Sequence, residues 1–322
     1  MTRDAWLARR RTCITASDAA AIIGLHPYRT RFDVWAHKQG ITPDTPDNEF
    51  MYWGRELEDV IARRYAADTG RVLRRHDYEV VVHPVHSWLG GTPDRTIPAV
   101  PAGLEIKTAG YRSAERWGDA GDGTIPEEYT VQCAVYMACT GYEAWDLAVL
   151  IGGQDYRVYN LHRDAELEAM IIDECARFRT DYVVTNRPPT PDASAGCAAW
   201  LATRYPSNAE PPLVATPEDD ILIGKLRDCR TEQAAIAARR AEYEAAVKAL
   251  IGTHDGIEGS HGKLTWRRNR DSARTDWEQV AARLRAAVPP SVWQQAIDAA
   301  TTTVPGPRVL RVPRKWLKED DQ

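Results

Sequence analysis

The sequence predicts an α/β fold with a mixed central sheet flanked by helices, followed by a mainly helical C-terminal extension with a small β element. Three observations lead there. Up to Gly70 the apolar residues recur at the spacing of helix faces, and from Val72 the pattern changes to short strand-like runs. The elements then alternate as helices, a small sheet, a helix, more sheet and a helix, which is an α/β order. Finally, seven prolines between Arg187 and Pro217 form the clearest composition break in the chain. The expected organisation is therefore a core over 1–187, a Pro-rich linker over 188–217 and a helical extension over 218–322.

Each element follows from local signals. Asp4 to Arg11 reads as a short helix, and a second begins near Ser17, where Ser17 and Asp18 can cap an apolar run that stops at Gly24. Thr30 caps a third, which ends at Gly40. Glu49 to Asp68 has helical spacing, with Met51, Leu57, Ile61 and Tyr65 on one face and Gly70 as its stop. Strand-like runs are Val72 to Leu73, Tyr78 to Val82, Trp88 to Gly90 and Gly103 to Lys107. Pro126 suits the first position of a helix running to Thr140. Strands Ala144 to Ile151 and Tyr156 to Tyr159 precede a long helix from Asp164 to Val184. Beyond the break come a charged helix, Glu218 to Ile251, and a hairpin-like strand, Lys263 to Arg267. Helices near Asp276 to Ala287 and Ser291 to Thr301 follow, and a strand-like end at Arg308 to Val312.

Composition narrows the function classes. Hydrophobic residues make up 43% and charged residues 27% of the 322, as in a soluble globular protein. A net charge of −5 gives no global basic field, yet it is compatible with a local basic groove that meets phosphates. The six cysteines form no CxxC pair, which speaks against an iron–sulfur or zinc site and for reduced thiols. The first residues lack an apolar signal-peptide core and no run has membrane-span length, so the expected location is cytoplasmic, with no membrane partner.

The chemistry concentrates between Gly90 and Lys107. In an extended strand Glu105 and Lys107 share one face while Ile106 points to the other. With the strand before Pro93 paired to this one through the loop Pro98 to Pro101, Asp94 joins them. Two hard oxygen ligands and a cation are the minimum for Mg²⁺-assisted phosphodiester hydrolysis. On spacing alone an exposed Glu–Lys pair is the ordinary reading. Glu58, on the helix before the sheet, is a further acid beside Leu57 and Ile61, with Gly54 allowing close approach. Arg10 and Ser17 can bring a guanidinium, a hydroxyl and helix N–H groups to one anion, or serve as a solvated charge and a cap. Tyr129 and Gln132, three apart on a helix, are either neutral groups for a substrate or water, or a partly buried Tyr and an exposed Gln. His83 and His86 read as turn or surface residues. Lys263, Arg267, Arg268, Arg270 and Arg274, with Trp266, suit nucleic-acid contact, a basic hairpin with a core tryptophan, or a protein-docking surface.

The segments RRTCITASDAAAIIGLHPYRTRFDVWAHKQG, WGRELEDVIARRYAADTG, HSWLGGTPDRTI, GLEIKT and YTVQCAVYMACTGYEAWDLAVLIGG, in that order, resemble the YqaJ-like viral recombinase family. That family is related to lambda exonuclease in the PD-(D/E)xK nuclease superfamily. The resemblance covers roughly residues 5 to 160, and it implies a restriction-endonuclease-like core. It also implies a metal-dependent exonuclease that degrades one strand of linear duplex DNA from its 5′ end, leaving a 3′ overhang for strand annealing. Glu58, Asp94 and Glu105 match the family's acidic metal ligands, with the Ile106 carbonyl as a further ligand. Lys107 matches the lysine that orients or activates water, and bound cations beside such a lysine would act to lower its pKa. Arg10 and Ser17 match the 5′-phosphate pair, and Tyr129 and Gln132 the helical motif. The implied cofactor is Mg²⁺, with Mn²⁺ able to substitute. The implied partners are double-stranded DNA ends, further copies in a homo-oligomeric ring such as a trimer, and a single-strand annealing protein. The setting would be a bacterial host's cytoplasm, with the gene carried by a phage or prophage. The alternatives are an endonuclease or repair nuclease of the same superfamily, and a noncatalytic DNA-end or protein-interaction module.

Overall fold

A computed structural model describes residues 2–43, 48–120, 123–208, 210–270 and 274–302. They fall into two compact units, Met1–Tyr205 and Pro206–Gln322. The first unit opens with α1 (Arg3–Thr12), β1 (Ile14–Thr15), α2 (Ala16–Ile22), α3 (Arg31–Lys38) and α4 (Glu49–Thr69). Short strands β2 (Arg74–Arg75), β3 (Val81–Val82), β4 (Leu89–Gly91) and β5 (Arg95–Ile97) lead into the long β6 (Ala102–Ala109). Then come α5 (Glu127–Thr140), β7 (Ala144–Ile151), β8 (Asp155–His162), α6 (Ala165–Phe178) and α7 (Ala195–Arg204). The α/β order expected from the sequence is present.

The strands form a mixed five-stranded sheet in the order β2-β5-β6-β7-β8 and a three-stranded sheet in the order β1-β4-β3. Strands β6 and β7 pair in parallel from Ala102↔Ala144 to Ala109↔Ile151. Parallel neighbours need a crossover, and α5 supplies it. The alternation of β6 sorts its side chains between two cores. Leu104 and Ile106 pack with Ile61, Ala62 and Tyr65 of α4, while the opposite face of the sheet packs under α2, α3, α5 and α6. In α2, Ala16, Ala19 and Ala20 are buried, and these small side chains let the helix lie close against α5.

Several local expectations change. The strand before Pro93, β4, pairs with β1 and β3 rather than with β6. The strand after Asp94, β5, is the one that pairs with β6, through Arg95↔Leu104 to Ile97↔Ala102. Thr15, not Ser17, caps α2, in a capping box closed by Asp18. Pro126 is the residue before α5 rather than its first position. Of the α4 face, Ile61 and Tyr65 are buried but Met51, in the first turn, is exposed. The helix expected over Asp164 to Val184 changes after Phe178 to a π-turn, Arg179–Val184. The stretch 188–217 holds α7, which packs on α3, and Gly196 N–H donates to Asp33 Oδ1 at 2.8 Å.

In the second unit, α8 (Pro217–Ile251) starts at Thr216 with a capping box to Asp219 and Pro217 in its first turn. The antiparallel hairpin of β9 (Gly256–Gly259) and β10 (Gly262–Thr265) follows, then α9 (Trp277–Ala287) and α10 (Pro290–Ala300). The strand-like run Arg308 to Val312 lies outside the described residues. Among the described residues no helix is long and apolar enough to cross a membrane.

One glycine ties the sheet register to the site. A Cβ on Gly103 would stand 2.3 Å from the ring of Trp145, its register partner, and that ring is fully buried. Gly103→Ala is expected to destabilise the chain by about 1–3 kcal/mol through overpacking. A lowered urea midpoint at unchanged m-value would check this.

Candidate active site

Glu105 lies in the middle of β6 on the face covered by α5, and it is 1% exposed. Its Oε1 accepts hydrogen bonds from Lys107 Nζ and from Gln132 Nε2, the latter at 2.7 Å. Its Oε2 is buried and meets no hydrogen-bond donor among the described residues. Gln132 also donates to Tyr136 Oη at 2.9 Å, and Tyr136 donates to the Thr92 carbonyl at 3.1 Å. The amide expected to meet substrate or water is thus buried and committed to orienting Glu105.

Asp94 reaches β6 from the other side. Strand β5 pairs with β6 only as far as Leu104, so the next N–H on that edge, that of Ile106, donates to Asp94 Oδ2 at 2.8 Å. In a strand the N–H and C=O of one residue leave on the same side, so the Ile106 carbonyl faces the same opening. Burial, and next the charge of Glu105, push the Asp94 carboxyl up to about 7. Burial works against the Lys107 charge, but Glu105 and Asp94 outweigh it and hold its pKa above the ordinary value. The charges around the ammonium in the protein alone are carboxylates. The Lys107 ammonium also sits 5.0 Å from the centre of the Tyr129 ring, which stacks on Trp117.

Glu58 of α4 comes to the same place, but its carboxylate accepts from the guanidinium of Arg95. Arg95 is 3% exposed and also donates to Asp59 Oδ1 at 2.5 Å and to the Asp94 carbonyl at 2.6 Å. Burial, and next the Asp94 charge, raise the Glu58 carboxyl above its usual range against the pull of Arg95. A Cβ on Gly54 would meet only Thr108 Oγ1 at 3.8 Å, an ordinary contact, so the approach of α4 does not depend on that glycine.

A cleft of about 1380 Å³ is lined by Glu58, Asp94, Ile106 and Lys107, and also by Arg10, Arg29 and Lys38. Glu105, Gln132, Tyr129 and Ser17 stand behind this lining. Arg10 lies over the ring of Trp6 at 4.7 Å and donates to Ser17 Oγ at 3.4 Å, so the pair read from the sequence does come together. Trp6 Nε1 donates to Thr92 Oγ1 at 2.8 Å, which ties α1 to the loop leading into Asp94. Lys38 Nζ contacts Asp18 Oδ2 at 2.6 Å and donates to the Arg10 carbonyl at 2.8 Å, and Arg29 Nη2 contacts Asp18 Oδ1 at 3.1 Å. The Thr15 N–H at the N-cap of α2 is taken by Asp18 at 3.0 Å.

Arg95, Trp6, Arg29 and Lys38 are the residues that sequence reading missed. Trp6 precedes Arg10 by four positions and so shares its helix face, a signal that was available. The other three act through partners distant in sequence. His83 and His86 hold a turn, with His83 Nδ1 accepting from the N–H groups of Val85 and His86.

Among the described residues, no three His, Cys, Asp or Glu side chains stand together as a ready-made metal cage. The donors present nevertheless suit a hard cation: two carboxylates, one with a buried oxygen lacking any donor, and a strand carbonyl. Mg²⁺ binds through one or two carboxylates and keeps several waters, so a full cage is not required.

Asp18 yields a stability test. Burial opposes its charge, but Lys38 and Arg29 outweigh it and hold its carboxyl well below the usual range. A depressed carboxylate contributes stability above its unfolded pKa near about 4, and this is lost as pH falls further. Asp18→Asn leaves Lys38 buried without its charge partner and should cost about 3–5 kcal/mol at neutral pH. In urea unfolding the gap to the parent chain should narrow as pH drops below about 4.

The sequence profile described as the YqaJ-like viral recombinase domain matches residues 5–143. The uncharacterized protein YqaJ of Bacillus subtilis (strain 168) is 35% identical over 208 residues, which are 64% of this chain and 64% of that protein. The chain thus matches less than two thirds of that relative's length. An alkaline exonuclease (LHK-Exo) from Laribacter hongkongensis is similar in structure, with a TM-score of 0.46 at 22% identity over 57% of this chain and 94% of the other. A phage-related exonuclease from Haemophilus somnus 129PT has a TM-score of 0.39 at 14% identity, over 54% of this chain and 95% of the other. Over residues 5–143 the first unit of this chain is thus similar to the YqaJ-like viral recombinase domain.

Proposed function

We propose that the chain is a divalent-metal-dependent deoxyribonuclease, a 5′→3′ exonuclease on linear double-stranded DNA that leaves 3′ overhangs for strand annealing. The observation that carries this reading is the convergence in one cleft of Asp94, the Ile106 edge and Lys107 with the cationic wall of Arg10, Arg29 and Lys38. The match of residues 5–143 to the YqaJ-like viral recombinase model agrees with it.

In this reading Asp94, Glu105 and the Ile106 carbonyl hold Mg²⁺, or Mn²⁺ in its place. Such an ion supplies Lewis-acid polarisation of a phosphoryl oxygen and a more acidic water. Lys107 places a fixed positive charge beside the scissile phosphate, where negative charge grows on the way to the transition state. Gln132 keeps the Glu105 carboxylate in one orientation. Arg10, with Ser17 beside it, receives a 5′-phosphate through charge-assisted hydrogen bonds. Glu58 is an acid of the cleft wall whose negative charge Arg95 partly offsets, and it is the candidate for holding a second ion. The resemblance extends the reading to a homo-oligomeric ring around DNA ends, with a single-strand annealing protein as partner, in a bacterial cytoplasm.

The test uses the full chain with Mg²⁺ on 5′-phosphorylated linear duplex and on covalently closed circles. Nucleotides should be released from the linear duplex alone, beginning at 5′ ends, and Lys107→Ala should lower the rate by about 100- to 1000-fold. Cutting of closed circles would favour an endonuclease. Ends that are bound but left intact would remove the catalytic reading.

A further inference from the structure

The second unit contains a cleft of about 430 Å³ between the last turns of α8 and the end of β10. Its walls are apolar and aromatic, with Tyr243 and Val247 from the helix facing Leu264 and Trp266 from the hairpin side. Its rim is cationic: Arg239, Arg240 and Lys248 line it against one acid, Glu244. The sequence adds Arg267, Arg268 and Arg270 directly after Trp266, and from Arg239 to Arg270 there are seven Lys and Arg against four Asp and Glu.

Two features call for a ligand with flat faces and negative charge. Tyr243 is 65% exposed and Trp266 is 49% exposed, so both walls of an apolar cleft present ring surface to water. The ion pairs nearby, Arg240–Glu244 at 3.4 Å and Arg267–Asp255 at 3.3 Å, join exposed side chains and contribute little in water. A phosphate can therefore take over these cations and release its own counterions in doing so.

We propose that this cleft binds single-stranded nucleic acid, with bases stacked on Tyr243 and Trp266 and phosphates held by Arg239, Arg240 and Lys248. Stacking on side chains is open to single strands because every base has a free π-face, whereas bases in a duplex already stack on each other. An apolar peptide would use Val247 and Leu264 but leave the cationic rim without a counterpart. The site is separate from the nuclease chemistry proposed above, since a chain that cuts nothing would still bind here.

The probe is a fluorescein-labelled oligothymidylate of about 20 nucleotides, longer than the roughly 4–16 nucleotides of single-strand-binding grooves. It is added to the full-length chain with a chelator to prevent cleavage. Anisotropy gives the affinity, and ultraviolet cross-linking with peptide mass analysis gives the contact. Adducts should fall on peptides containing Tyr243 or Trp266. The Y243A/W266A double variant should bind about tenfold more weakly. R239Q/R240Q, altered only at exposed charges, should weaken binding and flatten its salt dependence by about two phosphate contacts. Release from duplex ends should stay unchanged in both variants. Adducts confined to residues 2–205, or unaltered affinity in R239Q/R240Q, would overturn the proposal. Cleft occupancy by an apolar peptide but not by the oligothymidylate would do the same.

Discussion

A carboxylate held out of water beside an ammonium is the constraint on which the first unit depends. Burying an unpaired charge is strongly unfavourable, yet Glu105 sits almost fully buried in the central strand. Strand alternation gives it Lys107 on the same face, and the crossover that parallel pairing of β6 and β7 demands brings α5 and Gln132 over that face. One oxygen is thereby satisfied twice, and the other meets no donor among the described residues. In the proposed function, that second oxygen is the one offered to a hard cation.

The edge of β6 opposite β7 has a matching incompleteness. Because β5 is only three residues long, its pairing ends before Ile106, and a side chain replaces the missing strand. That substitution fixes Asp94 against β6 and leaves the strand edge facing the cleft. Across the cleft, the buried Asp18 charge organises Lys38 and Arg29, while Trp6 links α1 to the loop before Asp94. The cationic wall and the carboxylates are thus joined through the protein and not merely adjacent. Arg95 completes the arrangement by linking α4 to β5 through Glu58 and Asp59.

Much of this was legible in the sequence, and the pattern of what was not has physical causes. Helices with caps and glycine stops stood out because their signals are local, as in Thr30 before α3 and Gly141 after α5. The pair Glu105 and Lys107 was readable from alternation alone. Strands β1 and β5 were not, since two or three residues carry no period. The partner of β4 was misjudged because pairing is a nonlocal choice. Arg95 meets Glu58 from 37 positions away and Trp6 meets Thr92 from 86, separations at which no sequence pattern operates. Gln132 read either as a group for substrate or water or as an exposed polar residue, and its hydrogen bonds to Glu105 and Tyr136 are made to residues that no local pattern pairs with it. Helix α7 was hidden by the prolines around it, although Ser194 and the alanines after it are an ordinary helix start.

The most direct measurement is calorimetric titration of the full chain with Mn²⁺ in the absence of DNA, comparing the parent with Glu105→Gln and Asp94→Asn. Both substitutions keep the shape of the side chain and remove a charged ligand. Binding in the parent and its loss, or a weakening of about 10- to 100-fold, in either variant is the predicted result. Equal binding in all three chains would contradict the assignment of Asp94 and Glu105 as the centre of the site.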